Sequence, residues 1–553
     1  MNFNSKNKNT SSSVEEEENI SFIPKEKFVF VNKEEDFSDA PLKTKPRGYF
    51  QDAMRRFVTN KGSLICFFVI LILILFAFLT PFFSKYKVSD KDAYYAFANP
   101  RSSFFSRWGI WDGTNKVEVN TQTLQYLQGI PGTVKKELSS QIKVIAGRPQ
   151  KWTKIKQDSY ARVGWVKLLL TNEEYEKARE YEEKSNSKLF YPMIDESKIA
   201  NTAYKGDANA WFLTDSKGFA FTRNEIHEIE SSKNTAEENL SPSASRFEKF
   251  GTKSFSKKTA LKSASQKTNS PVKNEDLVPI YLSDPSSPDG FAYSVPRMNG
   301  SQKEVRVLYS EWYKYKNGKY ASFLFGADAS GYDICVRLAQ GARLSLILSI
   351  CVAMVNLFLG IIIGAIEGYY GGSVDLIIER IKDILSGIPS VVLMTLFQLY
   401  LSKQAGPLIS MFVAFIFFGW IGTSSTVRAQ FYRFKGLDYV TASRTLGAKD
   451  SRLIFRHILP NAIGFIITTS VLSIPAVIFS EANLTYLGIV NLQSDTMTSV
   501  GTMLNNAQSS LSTHPHCVFF PAAFISILLV CFNEFGNGLR DAFNPNIRGT
   551  ANE

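Results

Sequence analysis

Cysteine and histidine, the residues that most often form disulfides and metal sites, are scarce in this chain. Its 553 residues include 5 cysteines and 4 histidines, and residues 85–325 contain one histidine, His227, and no cysteine. A disulfide scaffold is therefore excluded for that region, and its stability must come from an ordinary core. His514 and His516 flank a proline, but two histidines without a thiolate or carboxylate cluster do not form a metal site. We expect a turn there and no metal.

Basic residues are absent from one loop and concentrated in another. Residues 488–515 contain no Lys or Arg, whereas residues 427–460 are rich in both. This asymmetry follows the rule that short cytoplasmic loops carry an excess of positive charge. It accounts for the net charge of +12 better than a nucleic-acid partner does, because no recognisable nucleic-acid-binding module accompanies the charge.

Long apolar runs place the chain in a membrane, although its mean hydropathy of -0.08 is that of a soluble protein. About twenty apolar residues are enough to cross a bilayer. Basic residues precede the first run, and no cleavage site follows it, which predicts a retained anchor with a cytoplasmic N-terminus. Six spans return the C-terminus to the cytoplasm, and we place them at 63–83, 342–366, 377–401, 407–426, 461–487 and 516–536.

These runs predict an all-α polytopic membrane domain with six transmembrane helices and an α+β extracytoplasmic insertion. The predicted layout is a cytoplasmic disordered tail with a basic amphipathic lead-in, the first span, the insertion, a domain with spans two to six, and a cytoplasmic tail. The corresponding residues are 1–62, 63–84, 85–325, 326–545 and 546–553.

Parts of the insertion have local signals of secondary structure. Thr171, followed by acidic residues and good helix formers, predicts a short exposed helix. Asn317-Gly318 between two apolar segments predicts a hairpin, and the Ser/Lys-rich residues 231–275 predict a flexible loop. Four aromatic side chains are either a contact patch for a partner or part of a core or membrane-surface anchor: Phe104, Phe105, Trp108 and Trp111.

The basic loop 427–460 has the pattern of a short helix that ends in a glycine. Asp438 is a suitable N-cap, and Gly447 is a suitable C-terminal stop. Tyr439, Ala442 and Leu446 would share one face. Such a helix, flanked by cations, suits docking into a groove of a cytoplasmic partner. A solvated connector between two spans is the alternative.

This loop resembles the EAA loop of ABC importer permeases, the coupling helix that the ATPase subunit grips. The Glu-Ala-Ala triplet of that loop falls on Thr441, Ala442 and Ser443. Its glycine falls on Gly447, and its terminal Leu-Pro falls on Leu459 and Pro460. Thr441 departs from Glu, and His457 stands where an aliphatic residue is usual. The resemblance implies an ATPase-coupling site formed by Asp438, Tyr439, Thr441, Ala442, Ser443, Arg444, Leu446, Gly447 and Pro460.

Three further segments, in order along the chain, resemble the C-type permeases of the dipeptide/oligopeptide (nickel) family. Ser480–Gly488 resembles the outer end of the fifth span of that family, and Asn533–Pro545 its C-terminal signature. The segment leading into the second span also matches, with Ala327 and Tyr332 replacing the usual Thr and Arg, and we expect a turn held by Asp and Arg at the membrane boundary. Its matching residues are Gly326, Asp328, Gly331, Asp333, Arg337, Gly341, Arg343 and Ser345.

The resemblance implies a type I ABC importer permease fold and a transporter subunit that is not itself an enzyme. Its partners would be a second homologous permease, two ATPases, an extracytoplasmic peptide-binding protein and the lipid bilayer, with no nucleic acid. ATP and Mg²⁺ would be used by the ATPases, and this chain would hold no cofactor. Peptides are favoured over nickel, and a membrane-anchored sensor or hydrolase acting through residues 85–325 is the alternative of another class.

Charged residues inside apolar runs raise two more questions. Glu481 lies near the outer end of a span, where an ionisable group needs a partner or water. It would either line the translocation path or have a structural partner. Four charged residues at the start of the third span are expected to pair with each other near the cytoplasmic surface: Glu379, Arg380, Lys382 and Asp383.

Overall fold

The computed structural model describes residues 49–145, 148–185, 187–200, 205–209, 214–215, 277–278, 281–288 and 290–543. Its internal contacts divide the chain into two units, Met1–Asp52 and Ala53–Glu553. Three predicted segments lie outside the described residues: the disordered part of the N-terminal tail, the flexible loop 231–275 and the C-terminal tail 546–553.

Two helices precede the insertion. The amphipathic helix α1 (Tyr49–Thr59) leads into α2 (Lys61–Phe83). Asn60 caps α2, because its side chain accepts a hydrogen bond from the backbone N–H of Ser63 at 3.3 Å. The 23 residues of α2 are about 35 Å long at 1.5 Å per residue, enough to cross a bilayer. The first predicted span is confirmed as a helix of the required length.

The first part of the insertion is a three-stranded antiparallel sheet. Its strands are β1 (Thr114–Asn120), β2 (Val134–Ile145) and β3 (Arg148–Asp158), with helix α3 (Thr121–Gly129) between β1 and β2. The strand order is β1-β3-β2, so β3 is central and β2 is an edge strand.

The second part of the insertion is built around one central strand. In chain order its elements are β4 (Trp165–Thr171), α4 (Asn172–Ser185), β5 (Phe190–Tyr191), α5 (Glu196–Ile199), β6 (Thr214–Asp215), β7 (Leu277–Val278), β8 (Ser294–Arg297), β9 (Gln302–Leu308) and α6 (Tyr309–Asn317). Strand β9 pairs antiparallel with β4, β5 and β8, and β6 pairs with β7. The α+β character predicted for the insertion is confirmed.

Helix α4 begins as the sequence predicts. The side-chain oxygen of Thr171 accepts from the backbone N–H of Glu174 at 3.2 Å, and the Glu174 carboxylate accepts from the N–H of Thr171 at 3.1 Å. These reciprocal bonds are a capping box, which satisfies two backbone donors at the helix start.

The predicted hairpin at Asn317-Gly318 is wrong, because these residues end helix α6. Gly318 has φ +71°, the left-handed conformation that a type I′ turn and a helix C-terminus both use. Tyr309, Trp312 and Tyr313 are buried on one face of α6. Their i, i+3, i+4 spacing is the helical signal that the Asn-Gly pair concealed.

The insertion leaves and rejoins the rest of the chain at neighbouring points. The backbone N–H of Arg101 donates to the carbonyl of Phe323 at 2.8 Å, and the N–H of Ala327 donates to the carbonyl of Ala98 at 2.8 Å. Gly331 lies so close to this seam that a Cβ atom would be 1.9 Å from the backbone oxygen of Asp92. The chain therefore enters the insertion at Arg101 and leaves it at Phe323, and these two points are hydrogen-bonded to each other.

The remaining helices form the membrane domain. They are α7 (Ile334–Tyr370), α8 (Gly372–Ser386), α9 (Ser390–Ala405), α10 (Pro407–Lys435), α11 (Asp438–Thr445), α12 (Asp450–Tyr486), α13 (Val500–Ala507) and α14 (His516–Phe543). Among the described residues, α2, α7, α10, α12 and α14 are long and apolar enough to cross a membrane, and α8 with α9 gives a sixth span if that pair is counted as one.

The third span is not the continuous helix that residues 377–401 predict. Helices α8 and α9 meet at an angle of 78°, and the break falls at Gly387, Ile388 and Pro389. Proline has no N–H for the helix ladder and disfavours a helical conformation in the residue before it. The break is therefore encoded in the sequence, inside a run whose apolar composition suggests continuity.

Candidate functional site

The candidate coupling segment is a short helix with a well-formed C-terminus. The N–H of Ala448 donates to the carbonyl of Ser443 at 3.1 Å, and the N–H of Gly447 donates to that of Arg444 at 3.0 Å. Gly447 has φ +83°. These two bonds around a left-handed glycine are a Schellman motif, so the prediction that Gly447 ends the helix is confirmed.

The N-terminus of α11 differs from the prediction. Leu437 is the cap residue, since its carbonyl accepts from the N–H groups of Val440 and Thr441 at 3.0 and 3.1 Å. Asp438 is the first helical residue, and the prediction that it is the N-cap is wrong. Its negative charge still lies in the first turn, where it interacts favourably with the helix dipole.

One buried side chain holds α11 against the membrane domain while the predicted face stays open. Val440 is fully buried and packs in a core that includes Phe431, Leu453 and Ile458. The predicted face of Tyr439, Ala442 and Leu446 is exposed, and Leu446 is 88% exposed. An exposed apolar side chain on a helix fixed from behind is what a docking surface requires.

Polar contacts join α11 to the ends of α7 and α12. The hydroxyl of Tyr369, at the end of α7, donates to the carboxylate of Asp450 at 2.5 Å, and the guanidinium of Arg444 lies 3.4 Å from the same hydroxyl. The side-chain amide of Asn461 donates to the hydroxyl of Tyr439 at 3.2 Å. A displacement of α11 would therefore act on two membrane helices.

Pro460 lies next to an irregular turn at the start of α12. Residues Leu453–Ile458 form a π-helical turn, and the N–H of Leu459 donates to the carbonyl of Ile454, five residues earlier. Such turns interrupt the regular hydrogen-bond ladder and are frequent at functional sites. This turn accommodates a proline at the second position of the following regular segment.

A buried ion-pair network lies inside the membrane domain. The ammonium of Lys382 is 2.8 Å from the carboxylate of Glu367 and 2.5 Å from that of Glu379, and Ser424 donates to Glu367 at 2.9 Å. Glu367 and Lys382 are 0% and 3% exposed. Removing Lys382 would leave the buried Glu367 carboxylate without its cation.

The pairing expected at the start of the third span is present and extends further than predicted. Arg380 contacts Asp383 at 3.0 Å, in addition to the Lys382–Glu379 contact. Sequence reasoning missed Glu367 on α7 and also the bidentate pair formed by Arg428 and Asp375, at 2.5 and 2.7 Å. An acidic residue within an apolar run is the signal that could have indicated Glu367.

The segment leading into α7 positions its two aspartates as backbone acceptors. Asp333 is the N-cap of α7 and accepts from the N–H groups of Cys335 and Val336. Asp328 accepts from the N–H groups of Ser330 and Tyr332 at 2.8 and 3.0 Å. Burial raises the pKa of Asp328 above its usual range, although these hydrogen bonds act in the opposite direction.

Arg337 does not hold the turn through an aspartate side chain, and that part of the expectation is corrected. Its guanidinium donates to the backbone carbonyls of Ser494 and Asp495 at 3.0 and 3.2 Å and lies over the ring of Tyr332 at 4.0 Å. The arginine thus ties α7 to the loop before α13. The carbonyls it meets are more than 150 residues away, which the local pattern does not reveal.

Three other residues of this segment have different surroundings. A Cβ atom on Gly341 would lie 3.0 Å from the backbone of Ser499 and Val500. Gly326 has φ +84°, and a Cβ there would lie 2.5 Å from the carbonyl of Ala98. Arg343 pairs with Gln340 one turn away, so it is held within its own helix.

Glu481 lies inside the protein. It is 1% exposed, and Ser345 Oγ donates to its carboxylate at 2.6 Å, while the hydroxyl of Thr485 lies 3.4 Å away. Its contacts therefore connect α12 to α7. A role in the translocation path remains a prediction.

Two family models match this chain. Residues 356–549 match the model described as binding-protein-dependent transport system inner membrane component, and residues 48–100 match the N-terminal TM domain of oligopeptide transport permease C. The second match extends to the seam at Arg101, beyond the predicted start of the insertion at residue 85.

Curated relatives decide the assignment. The oligopeptide transport system permease protein OppC of Bacillus subtilis (strain 168) is 43% identical over 224 residues, which are 40% of this chain and 72% of that protein. This chain belongs to the binding-protein-dependent transport permeases. The dipeptide transport system permease protein DppC of the same organism is 38% identical over 229 residues, 41% of this permease and 70% of that protein.

A solved structure has a partial likeness to this permease. It shows inward-facing conformations of the MetNI methionine ABC transporter and superposes with a TM-score of 0.31 at 14% sequence identity, covering 37% of this chain and 96% of that chain. The family assignment establishes a multi-pass inner membrane protein with the type I ABC importer permease fold. The α+β insertion lies between the two matched segments.

Proposed function

We propose that this chain is the permease subunit of an ATP-driven peptide importer and forms half of a translocation pore with a second homologous permease. Helix α11 carries the proposal, because it is fixed from behind by Val440 and presents the exposed Leu446. The names of its relatives, oligopeptide and dipeptide transport permeases, support peptides as the substrate class. An extracytoplasmic binding protein would deliver them.

In this proposal two separate ATPase subunits use ATP and Mg²⁺, and each moves one permease through its coupling helix. The displacement of α11 passes to α7 through Tyr369 and to α12 through Asp450 and Val440. Packed helices change between discrete arrangements more readily than they deform. The two permeases would therefore alternate between inward-open and outward-open states.

The distribution of charge supports the orientation. Arg433, Lys435, Arg444, Lys449 and Arg452 lie on or beside α11, and the loop before α14 has no basic residue. By the positive-inside rule α11 faces the cytoplasm. Both termini then lie in the cytoplasm, and the insertion is extracytoplasmic.

The test is co-purification of the tagged chain from its native membrane, in the wild type and in Leu446→Asp. Burying a leucine contributes roughly 1.5–3 kcal/mol, and 1.4 kcal/mol is a factor of ten. We therefore expect the amount of bound ATPase to fall at least about tenfold, with loss of peptide uptake and an unchanged amount of the second permease.

The matched control is Ile142→Asp in β2, where the side chain is 74% exposed and far from α11 in sequence. It should retain both ATPases. Full ATPase binding by Leu446→Asp would remove α11 from the interface. A wild-type chain that purifies without a second permease would contradict the whole proposal.

A further inference from the structure

A small closed loop, residues 102–111, projects from the start of the insertion, and we call it the aromatic loop. The N–H of Ser102 donates to the carbonyl of Trp111 at 2.8 Å, and Arg101 and Asp112 form a β-bridge beneath it. A 3-10 turn, Phe105–Trp108, ends at Gly109 with φ +73°. The loop is thus a defined protrusion with a hydrogen-bonded base.

The tip of the aromatic loop is apolar and exposed. Phe104, Trp108 and Ile110 are 59%, 66% and 59% exposed, and the ring of Phe104 packs edge-on against Phe105 and Trp108, at 5.2 Å in each case. Three large apolar side chains exposed on one short loop are unfavourable in water, and exposed apolar patches mark interaction surfaces.

Aromatic contacts connect the loop to the membrane helices. Trp111 has φ +52°, a left-handed conformation that is strained for a bulky residue, and its ring lies 6.1 Å from Phe325 and 5.9 Å from Phe520 of α14. Phe325 in turn lies 6.3 Å from Phe76 of α2. The base of the loop therefore lies against α14 and is connected to α2 through Phe325.

The surfaces of these spans beside the loop are also exposed and aromatic. Phe82 and Phe83, at the end of α2, are 77% and 81% exposed, and Phe519, in the first turn of α14, is 63% exposed. The ring of Phe519 packs edge-on against Phe520 at 5.4 Å, so this exposed residue lies next to the span residue that Trp111 contacts. Aromatic residues at the ends of membrane helices are typical of the membrane–water interface.

We propose that the aromatic loop is a bilayer anchor whose tip inserts into the membrane–water interface on the side of the insertion. Phe104, Trp108 and Ile110 supply an apolar tip, and tryptophan is enriched at this depth of a membrane. The exposed Arg107 can reach lipid phosphates while its aliphatic stem stays apolar. The anchor holds the root of the insertion at the membrane surface, and it does not depend on the transported substrate.

The experiment uses the full chain in phosphatidylcholine nanodiscs and compares wild type with Trp108→Phe. The difference between their emission spectra is the emission of Trp108, and the variant keeps an aromatic tip. Lipids brominated in the upper acyl chain should remove most of this difference emission, and aqueous iodide should leave most of it. Quenching by iodide alone would overturn the proposal.

Two controls test the interpretation. Trp152 pairs with Asn120, six residues along β1 from Thr114, which is about 20 Å along the strand from the loop. Its difference emission, from Trp152→Phe, should not respond to brominated lipid.

The second control separates insertion from proximity. Phe104→Ser with Ile110→Ser should abolish quenching of Trp108 by brominated lipid, whereas the even more exposed pair Ile142→Ser with Val144→Ser should not change it. Trp108 could instead become protected from both quenchers only when an extracytoplasmic binding protein is added. That result would assign the loop to a protein partner and overturn the anchor.

Discussion

The membrane domain and the insertion manage their polar groups differently. In the membrane domain Glu367, Lys382 and Glu481 are buried and meet specific partners. In the insertion many ion pairs lie on the surface, such as Lys177–Glu173, whose side chains are 65% and 78% exposed, and the buried Arg306 donates to backbone carbonyls. A charge that is buried away from water must meet a specific partner, whereas an ion pair on the surface remains hydrated and contributes little.

The seam between the two regions lies at the end of the first family match. The match to the N-terminal domain of permease C ends at residue 100, where Arg101 meets Phe323. Residues before and after this point remain hydrogen-bonded to each other, for example Phe97 N–H to the carbonyl of Asp328 at 3.0 Å. A module whose ends are adjacent can be inserted with little effect on its host.

The largest effect expected from this comparison is that of Lys382→Met. The substitution leaves the Glu367 carboxylate buried without its cation, and breaking a buried pair in this way costs about 3–5 kcal/mol. We expect a marked loss of folded protein in a detergent unfolding titration. The surface variant Lys177→Met in the insertion should not measurably change the same curve, because exposed pairs are screened by water.

A double variant tests whether charge is the cause. Lys382→Met combined with Glu367→Gln removes the two buried charges and leaves the half-buried Glu379, which lies 3.7 Å from Arg428. It should recover much of the stability lost in the single variant. If the single variant were as stable as Lys177→Met, the contrast between the buried network and the surface pairs would be wrong.

Features that depend on neighbouring residues could be predicted from sequence. Thr171 and Glu174 form the capping box of α4, and Gly447 supplies the positive φ that ends α11. Both depend on residue types at fixed short spacings. The positions of the apolar spans follow from composition in the same way.

Features that depend on competing local signals or on distant partners could not be predicted from the sequence. The apolar run of the third span concealed the break before Pro389, and Asn317-Gly318 serves a helix end as readily as a hairpin. Tyr369 was missed because its partners, Arg444 and Asp450, are about eighty residues away. No local pattern marks a tyrosine as the contact of a coupling helix.

The seam is tested next by Gly331→Ala. Its φ is +84°, and the new Cβ would lie 1.9 Å from the carbonyl oxygen of Asp92. Left-handed strain costs about 1–2 kcal/mol, and losing the hydrogen bond between Asp92 N–H and the Gly331 carbonyl adds about 1 kcal/mol. Thermal unfolding in nanodiscs should show that the free energy of unfolding falls by the sum of these two costs, about 2–3 kcal/mol.

Gly318→Ala is the matched control within the insertion. Gly318 has φ +71° with open space around it, so this variant has the strain without the clash. Its free energy of unfolding should fall by about 1–2 kcal/mol. Equal losses in the two variants would mean that close packing at the seam contributes nothing.

The smallest effect concerns pH and Asp92, which accepts a hydrogen bond from the hydroxyl of Tyr309 at 2.6 Å and so joins the seam to the insertion. Burial raises the pKa of Asp92 above its usual 3.8, despite the opposing hydrogen bonds. Between the unfolded and folded pKa values the folded state holds more protons, so stability falls as pH rises through that window. In a plot of melting temperature against pH, Asp92→Asn should flatten the slope across this window. If the wild-type melting temperature instead rose with pH more steeply than that of the variant, the hydrogen bonds would outweigh burial.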